Sequence, residues 1–233
     1  MILQKIKAPF FEVGPKAYLY GNDALELAKA AEAASRETGV SVIYTPQLTA
    51  LHLIAENTSE LYLCAQHMDP IHQGKGQGSI LPEAVKAAGA RCVMLNHAEK
   101  PMTLEALCKA VVRAGEIGLM SVVCADSCAE ASMLTQLAPD ILVVEPTELI
   151  GTGVTSDVEL VRASTEAVKR VNPDIAVLQG AGISTPEDVY RTIFAGADAT
   201  GSSSAVCKAA DPARMLREML LAEKQAFSDR TGK

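Results

Sequence analysis

The chain has 233 residues, a formal net charge of −7 and a sequence pI near 5.2. This balance excludes a general nucleic-acid binder, which needs a basic face, but it permits an anionic substrate held locally by backbone amides and one Lys. Aromatic residues make up only 4% and Trp is absent against a hydrophobic share of 48%, so Ala, Val, Leu and Ile must fill the core, as suits strands covered by helices on both faces.

Short apolar runs alternate with helical patterns along the whole chain. Strand 1 is expected over 10–13, followed by an Ala-rich helix over 23–35. Strand 2 covers 41–44, a short helix 51–55, strand 3 61–65, a helix 81–88 and strand 4 92–95. A helix over 103–117 stops at Gly118. Strand 5 then covers 120–125, a helix 128–137 and strand 6 141–144. The next helix, over 158–171, starts near Ser156-Asp157 and breaks at Asn172-Pro173. Strand 7 covers 175–178, a helix 186–194 and strand 8 198–200. Asp211-Pro212 opens the last helix, which is expected to end near Ala226, with Ser228 to Lys233 as a frayed tail.

Eight strand–helix alternations without a polar linker predict a parallel sheet with right-handed crossovers. That number in this length favours a closed (β/α)8 barrel, one domain spanning 1–233, over an open doubly wound sheet. No Gly-rich dinucleotide fingerprint follows strand 1, which weighs further against the open sheet. Six Cys are scattered, mostly in apolar runs and without a CxxC, as expected of buried thiols in a reducing compartment. Met1 to Lys5 is too short and too quickly charged for a signal peptide, and no spanning segment is visible. A cytoplasmic protein is expected, with no membrane or nucleic-acid partner.

Barrel enzymes carry their chemistry at the carboxyl ends of the strands. Gly14-Pro15-Lys16 stands there after strand 1, and Gln66, His67 and Asp69 after strand 3. Asn96, His97 and Glu99 follow strand 4, and Glu145 ends strand 6. Pro146 to Gly153 then form a Gly-bounded loop, a design in which the base stands on a rigid strand and the loop closes over it. Gly180-Ala181-Gly182 and Gly201-Ser202-Ser203-Ser204 follow the last two strands, where barrel phosphate sites recur. Glycines there let backbone amides approach an anion. A carboxylate base, a neutral imidazole, a Lys and a phosphate cradle suit proton transfer on a small α-hydroxy carbonyl phosphate. His67 and Asp69 lack a compact ligand pattern, so neither a metal nor any other cofactor is expected.

Several motifs resemble one family. They are Glu145-Pro146-x-Glu148-Leu149-Ile150-Gly151-Thr152-Gly153, the run from Ala65 to Pro70, Ile80 to Lys86, Leu95 to Glu99, Gly180 to Ser184 and Ala209 to Pro212. In this order they resemble the archaeal form of triosephosphate isomerase across nearly the whole chain. The resemblance implies a glycolytic and gluconeogenic aldose–ketose isomerase of sugar phosphates that assembles as a homodimer or homotetramer. In it Glu145 would shuttle the proton, His97 would polarise the carbonyl and Lys16 would meet phosphate and oxyanion. Glu99, Gln66 and Asn96 would support them, and Gly151, Gly180, Ala181, Gly182, Gly201, Ser202 and Ser203 would hold the phosphate.

Three positions depart from the family pattern. Gly14 stands where the family has Asn, Ala98 where it has Ser, and Gln77 where it has a Thr that reaches a partner subunit. Gly14 is expected to leave an empty volume and one donor fewer. Two alternatives to the triose reading follow. One is the same chemistry on a larger ketose phosphate such as a tetrulose phosphate, and the other is a phosphate-binding barrel without catalysis.

Overall fold

A computed structural model describes residues 5–146 and 157–232. Eight strands, β1 Phe10–Val13, β2 Ser41–Tyr44, β3 Tyr62–Ala65, β4 Cys92–Leu95, β5 Met120–Ala125, β6 Ile141–Val144, β7 Ala176–Gln179 and β8 Ala199–Ser202, pair in sequence order. All pairings are parallel, and β1 closes the ring on β8. This is the (β/α)8 barrel expected from the alternation. The helices are α1 Gly21–Thr38, α2 Leu51–Asn57, α3 Pro82–Ala87, α4 Leu104–Ile117, α5 Cys128–Leu134, α6 Val158–Val171, α7 Pro186–Phe194, α8 Ser204–Cys207 and α9 Pro212–Thr231.

Strand alternation divides the apolar residues into two cores. Phe11, Val13, Val42, Leu63, Val93, Val123 and Leu142 point outward and meet the helices. Phe10, Ile43, Cys64, Cys92, Val122, Cys124, Val143 and Leu178 point inward and fill the barrel. Cys64, Cys92 and Cys124 are buried free thiols, as the apolar runs implied.

Local chemistry sets the helix ends. Thr185 and Asp188 form a reciprocal capping box at the start of α7, with Pro186 in the first turn. Asp157 caps α6, Thr103 caps α4 and Asp211 caps α9 through side-chain oxygens that accept backbone N–H groups. Gly39 and Gly118 end α1 and α4 in left-handed backbone, at φ 77° and 72°.

Several elements depart from expectation, among them β8, which runs over Ala199–Ser202 and so includes Gly201 and Ser202. The helix after β5 turns to 3-10 geometry over Thr135–Leu137. A 3-10 turn over Leu48–Ala50 precedes α2. The short α8 has too few residues for a periodic signal. The tail expected to fray is instead the end of α9, which continues to Thr231. Arg230 Nη1 donates to the Ile193 and Ala197 carbonyls at 2.5 and 2.7 Å, and the Tyr190 hydroxyl donates to Asp229 at 2.9 Å. These contacts tie a polar-looking tail to α7, and tertiary partners of this kind leave no mark in local sequence.

Gly89 closes the turn after α3 at φ +100°, and a Cβ there would lie 2.4 Å from Ala55 Cβ of α2. The position thus combines backbone that disfavours side chains with no room for one. Gly89→Ala is expected to destabilise the fold by about 2–4 kcal/mol. A lower urea midpoint at unchanged m-value would register this.

Candidate active site

A cavity of about 580 Å³ opens at the carboxyl ends of the strands. It gathers Lys16 from β1, Gln66 and His67 from β3, His97 and Glu99 from β4 and Glu145 from β6. Gly180, Gly182, Gly201, Ser202 and Ser203 line it from β7 and β8. Ala181 is buried and does not line the cavity, and Asn96 lies behind it. Gly151 and the remainder of the expected lid after Pro146 fall outside the described residues.

Lys16 is held in left-handed backbone, φ 45°, which is rare for a residue with a side chain. Two amides hold it there. Gln47 Nε2 and Gln66 Nε2 donate to the Lys16 carbonyl at 2.8 and 3.1 Å. The Lys16 ammonium lies 2.7 Å from Glu99 Oε1. Burial is the largest single influence and works against the charge on Glu99, but the Lys16 hydrogen bond, the Lys16 charge and His97 together outweigh it and hold this carboxyl below its ordinary range.

Asn96 supports the His97 turn. Its Nδ2 donates to the Cys124 carbonyl at 3.0 Å and its Oδ1 accepts from Met102 N–H at 3.0 Å. His97 Nδ1 accepts the Glu99 backbone N–H at 3.0 Å. The proton of the neutral ring is therefore on Nε2, where it can be donated. Burial lowers the His97 pKa, the Lys16 charge lowers it further, and Glu99 only partly opposes them. Glu145 extends β6 by one residue, its N–H donating to the Ala125 carbonyl at 2.9 Å. Burial raises its pKa, partly offset by Lys16 and reinforced by Glu99.

The hydroxyls of the serine loop serve the fold. The Ser202 hydroxyl donates to the Ile183 carbonyl at 3.0 Å and that of Ser203 to the Gly14 carbonyl at 2.5 Å. Both hydroxyls are thus committed to the fold. The backbone N–H groups of Gly182, Ser203 and Ser204 make no hydrogen bond among the described residues, so they, rather than the hydroxyls, are free for an anion. His67 is buried, with Nε2 3.5 Å from Asp69 Oδ1.

Sequence reasoning missed Glu12, and the expected vacancy at Gly14 does not exist. Glu12 lies two residues before Gly14 on β1 and points to the same inner face. A Cβ at Gly14 would lie 2.9 Å from Glu12 Oε1. The carboxyl therefore fills the volume that a side chain at position 14 would take. The signal was available in Phe10-Phe11-Glu12-Val13, where a carboxylate sits at an inward position of an otherwise apolar strand.

Cation, imidazole and carboxylate converge at the carboxyl-terminal rim of a (β/α)8 barrel, which places the chain among barrel proteins equipped for acid–base chemistry. The family model described as triosephosphate isomerase matches residues 14–219. A triosephosphate isomerase of Sulfolobus acidocaldarius is 38% identical over 219 residues, covering 92% of this chain and 95% of that protein. One of Methanothermus fervidus is 40% identical over 203 residues, covering 86% and 91%. The chain belongs to the triosephosphate isomerase family.

Nitrogen-15 spectra are expected to show His97 as the Nε2–H tautomer. Its titration midpoint is expected below the ordinary 6.5, since burial and Lys16 both disfavour the imidazolium.

Proposed function

We propose that the protein interconverts glyceraldehyde 3-phosphate and dihydroxyacetone phosphate by proton transfer through an enediol. The observation that carries this reading is one cavity lined by both Glu145 and a His97 whose donor nitrogen is assigned by its contact to Glu99 N–H. Glu145, ionised, removes the proton from the carbon beside the carbonyl. The His97 Nε2–H polarises the carbonyl oxygen and passes a proton as the double bond shifts. The Lys16 ammonium stabilises charge on that oxygen. The N–H groups of Gly182, Ser203 and Ser204 receive the phosphate. The chemistry needs no cofactor.

The printed names of the relatives support the triose substrate. A larger ketose phosphate loses its main argument, because the Glu12 carboxyl occupies the room that Gly14 was expected to leave. Binding without catalysis would not require a buried base beside a neutral imidazole.

Glu145 works only when ionised, and its pKa is raised. Activity should therefore decline as pH falls, through a midpoint above the ordinary glutamate value of 4.5. Glu145→Asp, which withdraws the carboxylate by one methylene, is expected to lower kcat by about 10²–10⁴-fold with little change in KM. A coupled assay with both triose phosphates measures this, and an unchanged kcat would remove Glu145 from the mechanism.

The loop after β3 supports a proposal on assembly. Residues 72–79 are exposed, while the loop ends are pinned by Ile80 N–H to Asp69 Oδ2 at 2.6 Å and by Arg113 Nε to the Ile71 carbonyl at 3.2 Å. A projecting arm on a rigid base suits insertion into a second copy, as a homodimer or a dimer of dimers. Sedimentation should then show a species at least twice the 24.6 kDa chain mass.

A further inference from the structure

The Glu12 carboxyl lies deep in the barrel, yet part of it remains open to the cavity. Burying a carboxyl there is costly, and neither the barrel core nor the proton transfer proposed above requires it. Residues around it nevertheless accommodate it from three strands. Thr45 Oγ1, just past β2, donates to Oε1 at 2.5 Å. Gly201 of β8 stands directly opposite Glu12 in the β1–β8 register. A Cβ at Gly201 would lie 3.1 Å from Glu12 Oε2, as well as 3.0 Å from its Cβ and 2.8 Å from its carbonyl oxygen. A Cβ at Gly14 would lie 2.9 Å from Oε1. Two flanking positions without side chains and one dedicated donor describe a built place for a carboxyl. Oε2 makes no hydrogen bond among the described residues and faces the same cavity as Lys16 and Glu145.

We propose that Glu12 contacts the substrate, donating a hydrogen bond from Oε2 to the reacting oxygen beside Lys16, in place of a side chain at position 14. This deepens the isomerase reading above and takes its reacting oxygen from it.

The groups around Glu12 decide where its proton stays. Burial raises its pKa, Thr45 opposes this, the charge of Glu145 adds to it, and Lys16 opposes it, which leaves the group at about 7. The Cys64, Cys124 and Cys207 thiols also face it, and their own pKa values are raised, so they remain uncharged neighbours. Glu145 ionises first, and its negative charge then helps keep the proton on Glu12. Two carboxyls in one cavity thus take opposite parts, one an ionised base and the other a neutral acid. Raising the pH through about 7 would ionise Glu12, remove the donor and place a second negative charge beside the oxyanion.

The test compares kcat/KM against pH for wild type, Glu12→Gln, Glu12→Ala, Gly14→Asn and the Glu12→Ala/Gly14→Asn pair. Wild type should show an alkaline decline centred near 7. Glu12→Gln has the same shape with a donor that cannot ionise, so it should lose that decline. Glu12→Ala should lower kcat/KM by about 10²-fold or more. Gly14→Asn alone should also impair, because the new side chain meets Glu12. The pair should recover at least about tenfold over Glu12→Ala, the coupling expected of residues sharing one space. Retention of the wild-type alkaline decline in Glu12→Gln would overturn the proposal, as would a pair no better than Glu12→Ala. Calorimetric binding of dihydroxyacetone phosphate to wild type and Glu12→Gln separates this inference from the isomerase reading. The ratio of their affinities should shift as pH rises past 7 even if wild type shows no turnover. A constant ratio would overturn the role of Glu12 while leaving isomerase activity, if observed, untouched.

Discussion

The site depends on the placement of one ammonium group. Burial and then the Lys16 charge lower the His97 pKa, and against burial the same charge favours the ionised forms of Glu99 and Glu145. Removing that charge would raise the pKa of all three groups together, since one ion acts on every titratable neighbour within reach. The ammonium reaches this point because the Lys16 backbone turns through the left-handed region, at a cost of about 1–2 kcal/mol. Gln47 and Gln66, from the ends of two neighbouring strands, offset that strain through their bonds to its carbonyl. The electrostatics of the centre therefore rest on neutral amides that carry no charge of their own.

The barrel makes this arrangement possible by separating two tasks. Outward residues such as Phe11 and Val13 bind the helix layer, and inward residues such as Phe10 and Ile43 plug the lower barrel. Above that plug the inward positions turn polar, with Glu12, Thr45 and Glu145 reached in succession toward the open end. A strand can thus be apolar on one face over its whole length and change character on the other within two residues. The carboxyls stand on backbone already pinned by the sheet, so little ordering remains when a substrate arrives.

Much of this was legible in the sequence. The alternation of apolar runs and helical patterns located every strand, because period and punctuation are local properties. Lys16, His97 and Glu145 were legible because each directly follows a buried run, and the barrel rule then puts them on one rim. What stayed hidden depends on contacts between distant segments. The end of α9 looked like a tail because its partners, Ile193 and Ala197, lie in α7 and the turn after it. Composition likewise cannot show that the Ser202 and Ser203 hydroxyls bind the carbonyls of Ile183 and Gly14. Gly14 looked like a hole because its occupant is attached two residues earlier on the same strand.

The pairing of β1 with β8 has a consequence for how the molecule comes to work. Glu12 faces Gly201 across that seam, and Ser203 ties its hydroxyl to the Gly14 carbonyl from the far end of the chain. The first strand and the last therefore complete the cavity together. During synthesis, β1 would emerge with its acidic group unshielded and would wait for nearly two hundred residues before its partner appeared. Loop closure over that span is among the most entropically demanding contacts the chain makes. A chain with seven strands in place would still lack a cavity wall, so catalytic competence would arrive as a single late event of synthesis and would report directly on ring closure.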